Sequence, residues 1–362
     1  MNEDFFRYKN RFITIFLIIS YTYLHFKLTG VYADATLGKL VHFTARLPFG
    51  QRLLIPYLAH FITTYLPFKY VTVFFVMEGV FVALTYHMMK ALFRYEFSDI
   101  HAKAFAWLFL LLLPLISVIN YRLTIKSWAA FYYPFDTATL FFMAGGYLFC
   151  LQKRWHIFIP WIFFATLNRE SSVLLVFLVP ALHWRDFRQH LKPFFFAMLS
   201  YILARALVLY LVRDLPGSVF ELYNLKLLRT YFELNTYWLL NMKNFLLFVF
   251  CLAGVPLFWF AFYDYIPLRY RPLRYLCLLY FIGLLLVGNF MESRIFGEIF
   301  ILLYLPVCIA VTRWLNQENP FLLEHVGIMA YLNRYMVISI LMLIVLLRYP
   351  LNNLITWLVP YS

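Results

Sequence analysis

The sequence predicts an all-α polytopic membrane protein with about eleven transmembrane helices. Hydrophobic residues make up 64% of the chain and its mean hydropathy is +0.75, whereas soluble domains are about 45–50% apolar. Apolar runs recur along the whole chain, and short basic clusters separate them. No polar stretch is long enough to fold as a separate soluble domain. We therefore expect residues 1–362 to form a single membrane-embedded domain.

The net charge of +14 predicts contact with anionic lipids or phosphate groups. Nucleic acid is not an expected partner, because the basic residues are scattered between apolar runs rather than gathered on one soluble face. The four cysteines lie in or beside apolar runs without paired spacing, which predicts core residues rather than disulfides or a zinc site: Cys150, Cys251, Cys277 and Cys308.

The first apolar run extends from Phe12 to about His25, and basic residues precede it. Since cytoplasmic flanks carry an excess of Lys and Arg, the N-terminus is expected in the cytoplasm. Ala33-Asp34-Ala35 fits the small-residue pattern of a signal-peptide cleavage site. Polar residues separate it from the apolar run, however, so we expect an uncleaved first span.

Residues 27–69 decide the topology of everything that follows. If Leu53–Leu66 crosses the bilayer, every later segment changes side; if it lies in the outer interface, none does. The interfacial interpretation places the densest short basic loops in the cytoplasm, as the orientation rule favours: 94–103, 152–156, 185–192 and 268–274. Pro56 and His60 also suit an interfacial helix. We therefore expect a first outer loop of residues 27–69 with interfacial helices.

The remaining apolar runs predict the other spans. They lie at about 71–89, 105–120, 135–151, 194–211, 245–262, 275–287, 299–311 and 336–347, with a broken pair at 157–167 and 173–184. Asn168-Arg169-Glu170 interrupts the broken pair. Charges at such a depth are unfavourable unless they are paired or face water. Arg169 and Glu170 either neutralise each other at a helix corner or line the rim of a polar pocket.

Under this topology, acidic, amide and basic groups recur at the outer ends of at least four spans. They are Asp34, Arg122, Lys126, Asp136, Asn168, Arg169, Glu170, Asn289, Glu292, Arg294 and Glu298. We expect them to meet in one outward-facing polar cavity. Two structural alternatives remain: Asp136 and Glu298 cap helix ends, and Arg294 forms an ion pair with Glu292 or Glu298.

Other polar residues receive structural interpretations. Glu78 and Arg205 lie deep in apolar runs and are expected to form a buried pair between spans. His42 lacks a second histidine at ligand spacing, so no metal site is predicted. The signatures of soluble hydrolases, metalloproteases and nucleotide-binding enzymes are missing in a usable context.

Four short motifs resemble a pattern in bacterial integral membrane proteins of the GT-C superfamily of glycosyltransferases. They are Gln51-Arg52-Leu53-Leu54-Ile55-Pro56, Tyr133-Pro134-Phe135-Asp136, Leu167-Asn168-Arg169-Glu170 and Glu292-Ser293-Arg294. The order of span, outer loop and further spans is similar to GT-C proteins over nearly the whole chain. Many members carry paired acids in the first outer loop, whereas Asp34 is its only acid here. This loop therefore has no paired acidic motif that would bind a divalent cation, and the cofactor stays unknown.

The resemblance implies transfer of a sugar from a polyprenyl-phosphate donor to an unknown acceptor at the outer face of the bilayer, in a bacterial inner membrane with the site facing the periplasm. Asp34 would be the catalytic base. Donor-phosphate binding would fall to Arg122, Lys126, Arg169 and Arg294. Substrate binding or orientation would fall to Arg52, Asp136, Asn168, Glu170 and Glu292, with Glu170 orienting Arg169 or the acceptor.

Two other classes of function fit the same residues. A transporter or flippase for a lipid-linked or anionic solute would bind it with the outward charges and use Glu78 and Arg205 as a relay. A non-catalytic assembly subunit would use the charges for packing alone. A lateral groove that ends at Asp34 favours the enzyme, whereas a continuous path through the midplane favours transport.

Overall fold

The computed structural model describes residues 3–119, 131–224, 227–321 and 328–359. The chain divides into two compact units, Met1–Val219 and Phe220–Ser362. The prediction of an all-α fold is confirmed. Among the described residues, the strands are limited to a two-residue antiparallel pair in the second unit.

Unit 1 is a helical bundle whose long helices are joined by short helices and turns. Its α-helices are α1 (Glu3–Leu28), α2 (Leu37–Val41), α3 (Leu54–Tyr65), α4 (Tyr70–Phe93), α5 (Asp99–Pro114), α6 (Phe135–Leu151), α7 (Trp155–Asn168), α8 (Val173–Leu182) and α9 (Leu191–Leu211). A π-helical turn, Leu115–Ile119, extends α5. Short 3-10 turns lie at Ala33–Ala35, Phe49–Gln51, Glu170–Ser172 and Phe187–His190.

Helices α1 and α4 run antiparallel. Thr14 Oγ1 donates to the Tyr86 hydroxyl at 3.3 Å, and His25 Nδ1 lies 2.8 Å from Glu78 Oε1. Residues 29–69 therefore start and end at the same end of unit 1, as expected for an outer loop that does not cross the bilayer.

Helices α7 and α8 form a hairpin around Asn168, so the predicted break is confirmed. His183 Nε2 lies 3.3 Å from the carbonyl oxygen of Cys150, which brings the end of α8 back beside the start of α7. Unit 1 thus has two distinct ends. We call the end formed by residues 29–53, 131–136 and 168–172 the polar end, and the end formed by 94–99, 152–155 and 183–190 the basic end.

Helix α6 lies at the centre of unit 1, and all its residues are buried. An apolar residue on every side of a helix is typical of such a position. A Cβ atom added to Gly145 would lie 2.4 Å from Trp161 Cζ2, and one added to Gly146 would lie 2.6 Å from Leu175 Cδ2. The two glycines thus let α7 and α8 approach α6 closely. Cys150 belongs to this core, and the other three cysteines are buried as predicted.

The outward faces of the bundle are apolar. Phe16 and Ile19 on α1 are 60% and 61% exposed, and Phe195 on α9 is 63% exposed. Within the described residues, four helices are long and apolar enough to cross a membrane, or up to six if each bent pair counts as one span. The prediction of about eleven spans is not confirmed, because several apolar helices have only 10–17 residues, below the about 20 needed.

Unit 2 contains a small β-hairpin and further apolar helices. The strands are β1 (Tyr223–Asn224) and β2 (Arg229–Thr230). The α-helices are α10 (Tyr231–Leu240), α11 (Met242–Cys251), α12 (Val255–Ala261), α13 (Leu273–Val287), α14 (Gly297–Leu315), α15 (Ile328–Leu346) and α16 (Arg348–Leu358), with 3-10 turns at Tyr263–Tyr265 and Ser293–Phe296.

The predicted span at about 245–262 is bent, because α11 and α12 meet at 86°, and the pair forms either a broken span or a re-entrant loop. Ala253 and Gly254 have φ values of +53° and +66°, a left-handed conformation that ends helices. The Gly254 N–H donates to the Val249 carbonyl at 2.9 Å and closes the last turn of α11. Pro256 then lies in the first turn of α12, where proline is favoured.

We predict that Gly145→Ala lowers the free energy of unfolding by about 1–3 kcal/mol, because the new methyl group overpacks the contact with Trp161. Gly283→Ala is the matched control, since a Cβ there meets nothing within 4 Å and alanine favours the helix by about 1 kcal/mol. Unfolding of the detergent-solubilised protein measures both. Equal effects of the two substitutions would contradict the close contact.

Candidate functional site

Two ion pairs, one buried and one partly buried, link separate segments at the polar end. Arg169 Nη1 lies 3.3 Å from Asp136 Oδ1. Arg52 donates to Glu170 twice, from Nη2 to Oε1 at 2.9 Å and from Nε to Oε2 at 3.4 Å. Arg169 and Glu170 thus each pair with a residue from another part of the chain. Their charges also attract each other, so mutual neutralisation and the orienting role of Glu170 stay predictions.

Arg169 and Glu170 point to different partners because the helix stops between them and Asn168. Arg169 has extended backbone angles, φ −160° and ψ 141°, which end α7. Asn168 Nδ2 donates to the Phe135 carbonyl at 3.1 Å and to Thr139 Oγ1 at 2.9 Å. These bonds fasten the end of α7 to the first turn of α6, so Asn168 has a positioning role in the structure.

Arg52 joins three segments at the polar end. Its guanidinium lies 4.6 Å from the centre of the Phe135 ring, a cation–π distance. The next residue, Leu53, donates its N–H to the Leu167 carbonyl at 2.9 Å. The Glu170 ion pair completes the link, so Arg52 fixes the entry to α3 against α6 and the end of α7.

Glu78 and Arg205 do not pair, which corrects the prediction from sequence. Arg205 Nη2 donates to Gln51 Oε1 at 2.9 Å. Glu78 Oε1 accepts from His25 Nδ1 at 2.8 Å and from Thr137 Oγ1 at 2.6 Å. Arg205 therefore supports the 3-10 turn before α3, and Glu78 belongs to a separate buried network.

The Glu78 network is completed by Tyr132, whose hydroxyl donates to Glu78 Oε2 at 3.3 Å. His25 and Glu78 are 0% and 1% exposed. Sequence reasoning missed His25, Tyr132 and Thr137. The signal for His25 was a histidine inside an apolar run, where an ionisable side chain needs a partner.

Asp34 is the most open of the three predicted acids at the polar end. It lies in the turn Ala33–Ala35, and its carboxylate is 3.8 Å from Arg46 Nη1. The Asp34 side chain is 42% exposed, whereas those of Asp136 and Glu170 are 9% and 25% exposed. Asp34 is thus accessible to a substrate from solvent. Sequence reasoning did not single out Arg46.

Ring contacts connect the Asp34 turn to the buried ion pairs. Tyr32 packs on Phe49 with ring centres 5.2 Å apart, and Phe49 stacks on Tyr133 at 5.3 Å. The Tyr132 N–H donates to the Gly30 carbonyl at 2.9 Å. The polar end therefore brings together the predicted residues Asp34, Arg52, Asp136, Asn168, Arg169 and Glu170, although the ion pair of Asp34 is with Arg46.

A cavity of about 370 Å³ opens beside the same loop, within the range of about 300–1,000 Å³ for small-molecule sites. Its lining residues are Val41, His42, His60, Thr63, Thr64, Phe68, Lys69, Tyr70 and Val71. His60 Nδ1 lies 3.1 Å from the Val41 carbonyl, so that nitrogen donates and Nε2 is left to accept from a ligand. Helix α2, about 8 Å long, separates this cavity from the Asp34 turn.

The remaining predicted site residues are in unit 2 or outside the described residues. Arg294 forms an ion pair with Glu292, and their side chains are 8% and 13% exposed. Asn235 supports this loop by donating to the Gly288 carbonyl at 2.7 Å and accepting from the Phe290 N–H at 3.1 Å. The predicted ion pair of Arg294 with Glu292 is therefore present, and its structural role stays a prediction. Arg122 and Lys126 lie outside the described residues.

Comparison of the sequence with models of protein families and with curated proteins, and of the fold with solved structures, gave no match. Arg52, Asp136, Arg169 and Glu170 are bonded in pairs across the polar end. The Asp34 carboxylate is the most exposed of the acids there, and the cavity opens beside its loop.

We predict that Asp136→Asn and Arg169→Gln each lower the free energy of unfolding by about 3–5 kcal/mol, because each removes one charge of a buried ion pair. The double variant loses less than the sum, because neither charge remains. Chemical unfolding in detergent gives the interaction energy of the cycle. The same cycle at the exposed Arg213–Asp214 pair, whose side chains are 60% and 89% exposed, is expected to show no measurable interaction. An additive cycle at the buried pair would contradict the prediction.

Proposed function

We propose that the chain is a membrane glycosyltransferase that moves a sugar from a polyprenyl-phosphate donor to an acceptor hydroxyl, with Asp34 as the catalytic base. The observation that carries the proposal is the open Asp34 carboxylate beside the Arg46 guanidinium, at the end of unit 1 where buried ion pairs fix the loops. An accessible acid on a rigid support is what a general base requires.

In this mechanism the acceptor oxygen attacks the anomeric carbon while Asp34 takes the hydroxyl proton. The bond between the anomeric carbon and the phosphate oxygen breaks, and the lipid phosphate leaves with the electron pair. General-base catalysis of this kind contributes about 10²–10⁴-fold to the rate. A single displacement inverts the configuration at the anomeric carbon.

The departing phosphate needs fixed positive charge. Arg46 lies beside the base and Lys69 lines the cavity, so these two residues join Arg122 and Lys126 as candidates. A phosphate bound at Arg169 would have to displace the buried Asp136 carboxylate. We therefore assign Arg169 and Arg52 to holding the loops, and Arg294 to its own pair with Glu292.

Helix α3 supports the approach of a lipid donor. Tyr57, Phe61 and Tyr65 are 45%, 62% and 72% exposed, and His60 and Thr63 of the same helix line the cavity. A helix with one exposed apolar face and one polar face suits the boundary between headgroups and acyl chains. In the proposal the polyprenyl chain lies along the apolar face while its phosphate enters the cavity.

We predict that Asp34→Asn lowers the rate of transfer at least about 100-fold without changing the melting temperature, because the side chain is half exposed and keeps its size. Purified protein is incubated with radiolabelled polyprenyl-phosphate sugars and candidate acceptors, and labelled product is counted. Asp99→Asn is the control, since the Asp99 side chain is 43% exposed, close to the 42% of Asp34, and lies at the basic end. Retained turnover in Asp34→Asn would remove Asp34 as the base.

The buried His25–Glu78 pair favours transport as a second candidate function, because ionisable groups within a helical bundle mark proton or substrate paths in membranes. For a flippase, Glu78→Gln is expected to abolish movement of a fluorescent polyprenyl phosphate between leaflets of reconstituted vesicles, while Asp34→Asn leaves it intact. If the wild-type protein moves the fluorescent lipid no faster than it moves in protein-free vesicles, transport is excluded.

A further inference from the structure

Three potential metal ligands converge at the basic end of unit 1. One ligand atom from each of His183, Asp186 and His190 lies within 4.8 Å of those of the other two. The two histidines are 9% and 7% exposed. This cluster is independent of the proposed function, because α9 separates it from the polar end: the 15 residues from His190 to Arg205 span about 22 Å.

The backbone holds the three side chains on one turn. His183 follows the last residue of α8, Asp186 precedes the 3-10 turn, and His190 ends it. The Asp186 N–H donates to the His183 carbonyl at 3.2 Å, and the Gln189 N–H donates to the Asp186 carbonyl at 2.9 Å. The H-x-x-D-x-x-x-H spacing thus places all three ligands on one rigid corner between α8 and α9.

The hydrogen bond of His183 selects the tautomer that a metal ligand needs. His183 Nε2 lies 3.3 Å from the Cys150 carbonyl, and because a carbonyl only accepts, this nitrogen carries the hydrogen. The lone pair of the neutral ring is then on Nδ1. Histidine ligands of metals commonly donate their other N–H to a backbone carbonyl, which fixes the ring orientation.

The other side chains are also arranged for a cation. His190 Nε2 lies 3.1 Å from Asp186 Oδ2, so a metal ion would take the place of the hydrogen that these two atoms share. The Trp155 ring packs on both imidazoles, with centres 5.8 Å from His183 and 5.5 Å from His190. Trp155 thereby restricts both rings without offering a ligand.

We propose that His183, Asp186 and His190 bind a divalent transition-metal ion, with Zn²⁺ as the best match. Two imidazoles and one carboxylate form a common zinc ligand set, and water completes the tetrahedron. Zinc–ligand bonds of about 2.0–2.1 Å bring ligand atoms to about 3.4 Å from one another, so the cluster closes slightly on binding. The bound ion links the end of α8 to the start of α9.

Lys153 competes with the ion for the carboxylate. Its Nζ lies 3.6 Å from Asp186 Oδ2, and the Lys153 side chain is 49% exposed. The ammonium group can therefore turn into water when a metal ion binds. Removing this cation is expected to tighten metal binding, which a merely structural ion pair does not predict.

The test is Zn²⁺ binding to tag-free, detergent-purified full chain, measured by competition with a chromogenic chelator and by the visible absorption of bound Co²⁺. We expect one ion per chain. His183→Ala and His190→Ala are expected to weaken binding about 100-fold or more, beyond the about 10–100-fold for outer-shell groups. Lys153→Gln is expected to tighten binding severalfold. His156→Ala, which removes an exposed histidine beside Trp155, is the matched control and is expected to change nothing.

Asp186→Asn tests the proposal even if the histidine variants misfold. The Asp186 side chain is 37% exposed, and asparagine has the same size. The variant is expected to fold as the wild type does, to weaken Zn²⁺ binding and to alter the Co²⁺ spectrum. Equal affinities of His190→Ala and His156→Ala, or an unchanged Co²⁺ spectrum in Asp186→Asn, would overturn the proposal. So would the lack of a bound ion in the wild type and in Lys153→Gln.

Discussion

The structure of unit 1 depends on ion pairs, because its apolar interior disfavours unpaired charges. Arg169 and Glu170 are neighbours in the chain, yet one bonds Asp136 at the start of α6 and the other bonds Arg52 before α3. Because an uncompensated buried charge is strongly destabilising, both bonds must form together. The corner between α7 and α8 therefore fixes two distant segments at once, and with them the whole polar end.

These ion pairs divide the charged residues of the polar end into those that hold the fold and those that are open to a substrate. Cations that already hold buried carboxylates are poor candidates for binding a substrate phosphate, since the phosphate must compete with a fixed partner. Asp34 differs, because its side chain is 42% exposed and its 3.8 Å contact with Arg46 is longer than those of the other two pairs. In the proposed enzyme, the other two pairs would keep the segment of residues 29–53 in one place, beside the cavity.

The sequence predicted features that depend on local composition. The helical fold, the break at Asn168, the return of residues 29–69 to one end and the burial of the cysteines all follow from hydrophobic pattern and helix length. The partner of a charged residue is harder to predict from sequence, because the rotation of each helix decides which side chains an arginine contacts. The sequence predicts a pair between Arg205 and Glu78, for example, whereas Arg205 bonds Gln51. The His183 spacing was visible in the sequence, yet its loop was interpreted only as a basic orientation signal.

The lengths of the helices explain why the polar end can hold a site at all. Helix α7 has 14 residues and α4 has 24, so they are about 21 Å and 36 Å long. Both have an end at the basic end, where the Tyr95 hydroxyl donates to the Leu151 carbonyl. The Asn168 corner therefore stops about 15 Å short of the first residue of α4. Residues 29–53 fold into this recess, and the bond from the Leu53 N–H to the Leu167 carbonyl anchors them there. A recess of this depth places Asp34 and the cavity close to the apolar faces of the bundle, which is the arrangement that the proposed donor, with its lipid tail and charged head, would require.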